Sequence, residues 1–148
     1  MDTPLVLVID ADPATHDEVA ESLAEVDCVL LGARSEALAL QLAARRFPAI
    51  VLIDTASVAD PAELFARLQQ IVPHVRAVIT TAASSGAVAR LVAVGPVLRK
   101  PLDPERLRAT IRSLSRLSAM ANCVADMREE AAATQAVWRR IATTHWRA

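Results

Sequence analysis

The chain reads as an α/β domain, a doubly wound five-stranded parallel sheet, and three observations predict it. Short apolar runs of strand length alternate with helical patterns along the chain. The runs are continuously apolar rather than alternating, as in strands covered on both faces. Three Asp-Pro pairs, Asp12-Pro13, Asp60-Pro61 and Asp103-Pro104, mark helix starts. There an Asp side chain accepts a first-turn N–H, and Pro gives up no hydrogen bond.

In chain order, "LVLVID" at residues 5–10 predicts the first strand, and Asp12-Pro13 opens a helix over 13–24. A second strand is predicted over 26–31 and a helix over 35–46. "IVLID" at 50–54 is a third strand, followed from Asp60-Pro61 by a helix over 61–71. A fourth strand covers 75–80, a helix 84–94, a short fifth strand 97–99 and a helix 104–117.

Composition narrows the function. The 148 residues are 53% hydrophobic and 22% charged, enough to bury a core for one ordinary domain. A net charge of -1 offers no footprint for a phosphate backbone, so no direct nucleic-acid binding is expected. Cys28 and Cys123 have neither metal-ligand spacing nor the makings of a disulfide framework. Neither a membrane span nor a signal peptide is legible, and a cytoplasmic location is expected.

In a doubly wound sheet, ligands bind beyond the carboxyl ends of the strands, near the point where strand order reverses. The residues predicted there are Asp10, Asp54, Thr80 with Thr81, and Lys100. Two carboxylates, a hydroxyl and an ammonium supply a nucleophile, a phosphate-oxygen donor and a charge neutraliser, the equipment of phosphoryl chemistry. His16, His74 and His145 are scattered and suggest no general-base or metal cluster.

Four motifs carry a resemblance: "VLVIDADP" at 6–13, "PAIVLID" ending in Asp54, "VITTA" containing Thr81, and "LRKP" containing Lys100. In this order and spacing, residues 5–117 resemble the receiver domain of two-component response regulators, of the chemotaxis-receiver type and flavodoxin-like in fold. The resemblance implies phosphorelay signal transduction rather than an enzyme. Asp54 would be the phosphoacceptor for a sensor histidine kinase or phosphotransfer protein, and Thr81 and Lys100 would bind the phosphoryl group. Lys100-Pro101 matches a position where a cis peptide is common, X-Pro being the bond that adopts cis cheaply. The implied Mg²⁺ would sit between Asp10, Asp54 and the backbone carbonyl of Ala56.

The chain also departs from that pattern. Two adjacent acids are usual where it has Asp10 and Ala11, and the missing acid is the metal's direct carboxylate ligand. Mg²⁺ is held by only one or two carboxylates plus waters, so losing one should weaken binding and slow phosphorylation of Asp54. Asp12 has two readings: helix N-cap, or a weak, rearranged metal contact. Val97 stands where an aromatic switch residue is usual, and Val58 where the loop after the phosphoacceptor usually has Pro. A degenerate receiver acting as a phosphorylation-independent interaction module is the alternative function.

Asp10-Ala11-Asp12 also fits the D-x-D of haloacid-dehalogenase-like phosphatases, with Asp10 as nucleophile and Asp12 as acid/base. Against this, Ala14 stands where Thr or Val is expected, and the later acids Asp103 and Glu105 fall at a helix start.

Residues 118–148 contain no Gly or Pro and read as a helical continuation. Met120, Val124, Met127, Ala131, Trp138 and Ile141 recur at steps of three and four. Such a stripe must be buried. It either packs back on its own domain or forms a homodimer or partner helix, with Trp138 and Trp146 as candidate anchors.

Overall fold

The computed structural model describes residues 3–83 and 88–145. Two compact units divide after Ser118. The first is built from β1 (Leu5–Ile9), α1 (Pro13–Ser22), β2 (Val29–Ala33), α2 (Glu36–Arg46), β3 (Ile50–Asp54), α3 (Pro61–Ile71), β4 (Arg76–Thr81) and β5 (Val97–Arg99). It also contains the beginning of α4 (Pro104–His145), whose remainder makes up the described part of the second unit.

The five strands are parallel, in the order β2-β1-β3-β4-β5. Strand order reverses between β1 and β3, so the crevice lies beyond Ile9 and Asp54.

Alternation along the strands divides the core into two layers. Leu7 and Ile9 of β1 and Val51 and Ile53 of β3 pack with Ala39 and Ala43 of α2 and Leu64 and Leu68 of α3. Val6, Val8, Ile50 and Leu52 point the other way, against Val19 of α1 and Leu107, Ile111 and Leu114 of α4. Burying both faces requires the continuous apolar runs "LVLVI" and "IVLID".

The helix starts follow local chemistry. Asp12 Oδ1 accepts from Ala14 N at 3.0 Å, and Asp60 Oδ1 accepts from Ala62 N and Glu63 N. Asp103 Oδ1 accepts from Glu105 N. Ser35 caps α2 through Leu38 N.

Several boundaries differ from those the sequence predicts. The first strand ends at Ile9 and the first helix at Ser22. The second strand is not 26–31 but Val29–Ala33, set by parallel register from Leu5↔Val29 to Ile9↔Ala33. Cys28 thus precedes β2 and is half-buried. The fourth strand runs one residue further, through Thr81. Of the helix expected over 84–94, residues 84–87 lie outside the described residues. From Val88 the chain turns with three-residue spacing, Leu91 N to Val88 O and Val94 N to Leu91 O.

Gly95 is required where the chain re-enters the sheet: a Cβ there would lie 2.0 Å from the Ala77 carbonyl oxygen. The Lys100-Pro101 peptide is cis.

In the second unit α4 continues without a break to His145, and Met120, Val124, Met127, Trp138 and Ile141 are exposed along it. Trp146 lies outside the described residues. No helix among the described residues is long and apolar enough to cross a membrane.

Candidate functional site

Parallel strands ending at one edge bring Asp10, Asp54, Thr81 and Lys100 together. Asp10 follows the last residue of β1, Asp54 ends β3, Thr81 ends β4, and Lys100 follows β5. Both aspartates and Thr81 are buried, at 2%, 4% and 0% exposure.

Lys100 joins the two carboxylates. Its Nζ lies 2.7 Å from Asp10 Oδ2 and 3.1 Å from Asp54 Oδ1. One ammonium thus serves two buried carboxylates and leaves one negative charge to be dispersed by hydrogen bonds. Asp10 Oδ1 accepts from Asp12 N at 2.8 Å, and Asp54 Oδ2 accepts from Ser57 Oγ at 2.6 Å.

Burial by itself pushes the Asp10 carboxyl up. The Lys100 hydrogen bond, the Asp12 N–H, the Lys100 charge and Thr15 outweigh it and hold the carboxyl below its ordinary 3.8. Burial likewise pushes Lys100 down, but its hydrogen bonds to Asp10 and Asp54 and their charges raise it above 10.5.

Thr81 Oγ1 accepts from Thr55 Oγ1 at 2.9 Å and from Ala83 N at 3.0 Å. A hydroxyl carries two acceptor sites and one proton, so Thr81 can accept both bonds and still present its proton at the strand end. Thr80, one residue earlier, is buried in the sheet, and its carbonyl accepts from Thr55 N.

This is the chemistry of an oxyanion site: a buried carboxylate, an ammonium and a hydroxyl donor on a rigid sheet edge. Five parallel strands in flavodoxin-like order, with two strand-end acids, a strand-end Thr and a Lys–cis-Pro after β5, decide the architecture. The chain has the receiver-domain fold.

Solved structures agree. A signal receiver domain of a putative Luxo repressor protein from Vibrio parahaemolyticus superposes with a TM-score of 0.74 at 16% identity, over 83% of this chain and 98% of its own. The receiver domain of an HD domain-containing protein from Pseudomonas fluorescens Pf-5 gives 0.72 at 23% identity, over 80% and 99%. A CheY-like response regulator receiver domain from Methanospirillum hungatei JF-1 gives 0.71 at 18%, over 81% and 99%. No protein-family model and no curated protein sequence matches the chain.

The receiver fold normally implies a divalent cation, but the donors present do not fit one. Both oxygens of Asp10 and both of Asp54 are engaged, and position 11 offers a methyl group. No group of three or more His, Cys, Asp and Glu side chains among the described residues could hold a metal. Ala56 lies in the exposed turn after β3. Asp12 is exposed, with Oδ1 on the first-turn amide of α1.

Two site residues were not apparent from the sequence. Ser57 bridges Asp54 and the backbone of Ala11, its Oγ accepting from Ala11 N at 2.9 Å. His16 Nε2 donates to the Asp10 carbonyl at 2.8 Å, its ring against Gly32. Neither contact has a local sequence signature. Only the spacing of His16, six residues after Asp10 and on the first turn of α1, could have hinted at it.

Proposed function

We propose that this chain is a phosphorelay receiver whose phosphoacceptor is Asp54. The observation that carries the reading is Lys100 Nζ held between Asp54 Oδ1 and Asp10 Oδ2, beside the buried Thr81 hydroxyl. A carboxylate oxygen of Asp54 bonds to phosphorus as the bond to the donor's imidazole nitrogen breaks, and the imidazole leaves with the electron pair. Lys100 moves from the carboxylate to a phosphoryl oxygen, and Thr81 donates its proton to another. The donor is a histidine kinase, a phosphotransfer protein or a small phosphodonor. No step is assigned to a cation, and the reaction is slow because Ala11 supplies no carboxylate to hold one.

A second reading, a phosphorylation-independent interaction module, is favoured by the closed pairing of both Asp54 oxygens. Labelling by a small phosphodonor with Mg²⁺ distinguishes the two readings. Label on the wild type that is absent in Asp54→Asn supports the first, and label on Ala11→Asp alone supports the second. A phosphatase using Asp10 and Asp12 has no support from Asp12, whose Oδ1 caps a helix. Turnover of an aryl phosphate abolished by Asp10→Asn and not by Asp54→Asn would reinstate it.

The partner surface we propose is the second unit, as a homodimer helix. Met120, Val124, Met127, Ala131, Thr134, Trp138 and Ile141 follow alternating four- and three-residue steps, the 3.5-residue repeat of a coiled-coil seam. Replacing Val124 and Ile141 with Asp should halve the mass in solution at equilibrium. An unchanged mass overturns the dimer.

A further inference from the structure

The apolar seam of the second unit is flanked by charges of opposite sign at its two ends. Between Met120 and Ile141 the charged residues fall into two blocks. In the first, Asp126, Glu129 and Glu130 outnumber Arg128 by two; in the second, Arg139 and Arg140 are both cationic. The helix fixes the spacing of these blocks, because α4 runs unbroken to His145. Met120, Val124, Met127, Trp138 and Ile141 lie exposed beside them. We propose that the seam pairs antiparallel with a second copy of this chain, setting Val124 against Ile141, Met127 against Trp138 and Ala131 against Thr134. A two-fold axis between positions 132 and 133 relates these pairs, so each contact occurs twice. The inference rests on the homodimer reading and adds its direction and register.

Two arguments favour this direction over a parallel pair in register. Charges flanking a coiled-coil seam set the orientation of its helices. A parallel pair would hold the net-acidic block level with its own copy and Arg139 and Arg140 level with theirs, which is repulsive on balance. The antiparallel pair brings Asp126 level with Arg139 and each acidic block beside a basic one. In the heptad that the seam defines, Asp126, Glu130 and Arg140 also share one flank, the flank that meets its own counterpart in an antiparallel pair. Side-chain size is the second argument. In parallel register Trp138 would meet Trp138 while Ala131 met Ala131 about 10 Å along the helix, and the spacing between helices follows the side chains at the contact. The antiparallel register opposes Trp138 with the flexible Met127 and Ala131 with the larger Thr134.

The test uses the full chain in a Cys28→Ala, Cys123→Ser background, with one cysteine returned to the seam. Val124→Cys and Ile141→Cys are oxidised separately, and again after co-expression with different tags, while sedimentation gives the mass of the reduced proteins and of the wild type. Antiparallel pairing holds Val124 and Ile141 each about 25 Å from its own copy along the helix. A disulfide spans only about 7 Å between Cα atoms. Neither variant should therefore cross-link alone, and the co-expressed pair should give a disulfide dimer carrying both tags. A disulfide dimer from either variant alone overturns the antiparallel direction. A reduced dimer that cross-links in no combination overturns the register; in both cases the homodimer itself stands. If wild type and reduced variants all sediment as monomers, the homodimer reading falls, and the inference with it.

Discussion

Replacing Lys100 with Met should expose how strained the pocket is without its cation. Lys100 Nζ is within 3.1 Å of both carboxylates, whose side chains are 2% and 6% exposed. Removing it leaves two near-buried anions facing each other. Removing one partner of a buried pair costs about 3–5 kcal/mol. The lysine is itself 25% exposed, so water softens the loss, and the lower end, about 3 kcal/mol, is expected at neutral pH.

The pH dependence has a definite sign. Asp10's folded pKa is lowered, so its contribution is present above 3.8 and fades as pH falls through the lowered value. Lys100's is raised, so its contribution is present below 10.5 and fades as pH rises through the raised value. The wild-type pocket therefore keeps its full contribution across the neutral range. In Lys100→Met the Asp12 N–H and Thr15 still hold Asp10 down, but burial and the neighbouring carboxylate are no longer opposed by the lysine, and Asp10 takes up a proton more readily. The deficit should shrink between neutral pH and about pH 5. Urea unfolding of both proteins at the two pH values measures it. A deficit below about 1 kcal/mol at neutral pH, or one unchanged by acid, refutes the reasoning.

Gly95→Ala should destabilise by about 3 kcal/mol, because its Cβ meets a backbone carbonyl. Gly32→Ala, whose Cβ meets only the movable His16 ring, should cost clearly less, and paired thermal melts show the order. Asp12→Ala should cost about 1 kcal/mol as a lost cap while leaving Asp54 labelling unchanged. A labelling defect in that variant would return Asp12 to the pocket. Ile111→Ala, deep in the α1/α4 layer, should lower stability by about 2–5 kcal/mol in denaturant unfolding.

Strands β1 and β3 were legible because both their faces are buried and the sequence is apolar without a break. Helix starts were legible because an Asp-Pro pair acts within a few residues. β2 was displaced because its limits come from pairing with β1, which draws in Gly32 and Ala33 despite their poor strand propensity, while Val26 and Cys28 pack before the strand begins. The site shows the same division. Asp10, Asp54, Thr81 and Lys100 each end a strand or follow one, so topology alone brings them together. Ser57 and His16 join them through single hydrogen bonds set by how a turn and a helix lie over the sheet edge, which no short-range pattern encodes.

The most direct test is the intact mass of the protein after prolonged incubation with a small phosphodonor and Mg²⁺, in wild type, Ala11→Asp and Asp54→Asn. The account predicts one phosphoryl adduct forming slowly on the wild type, faster on Ala11→Asp, and none on Asp54→Asn. The absence of an adduct on both wild type and Ala11→Asp, or an equal adduct on Asp54→Asn, would contradict it.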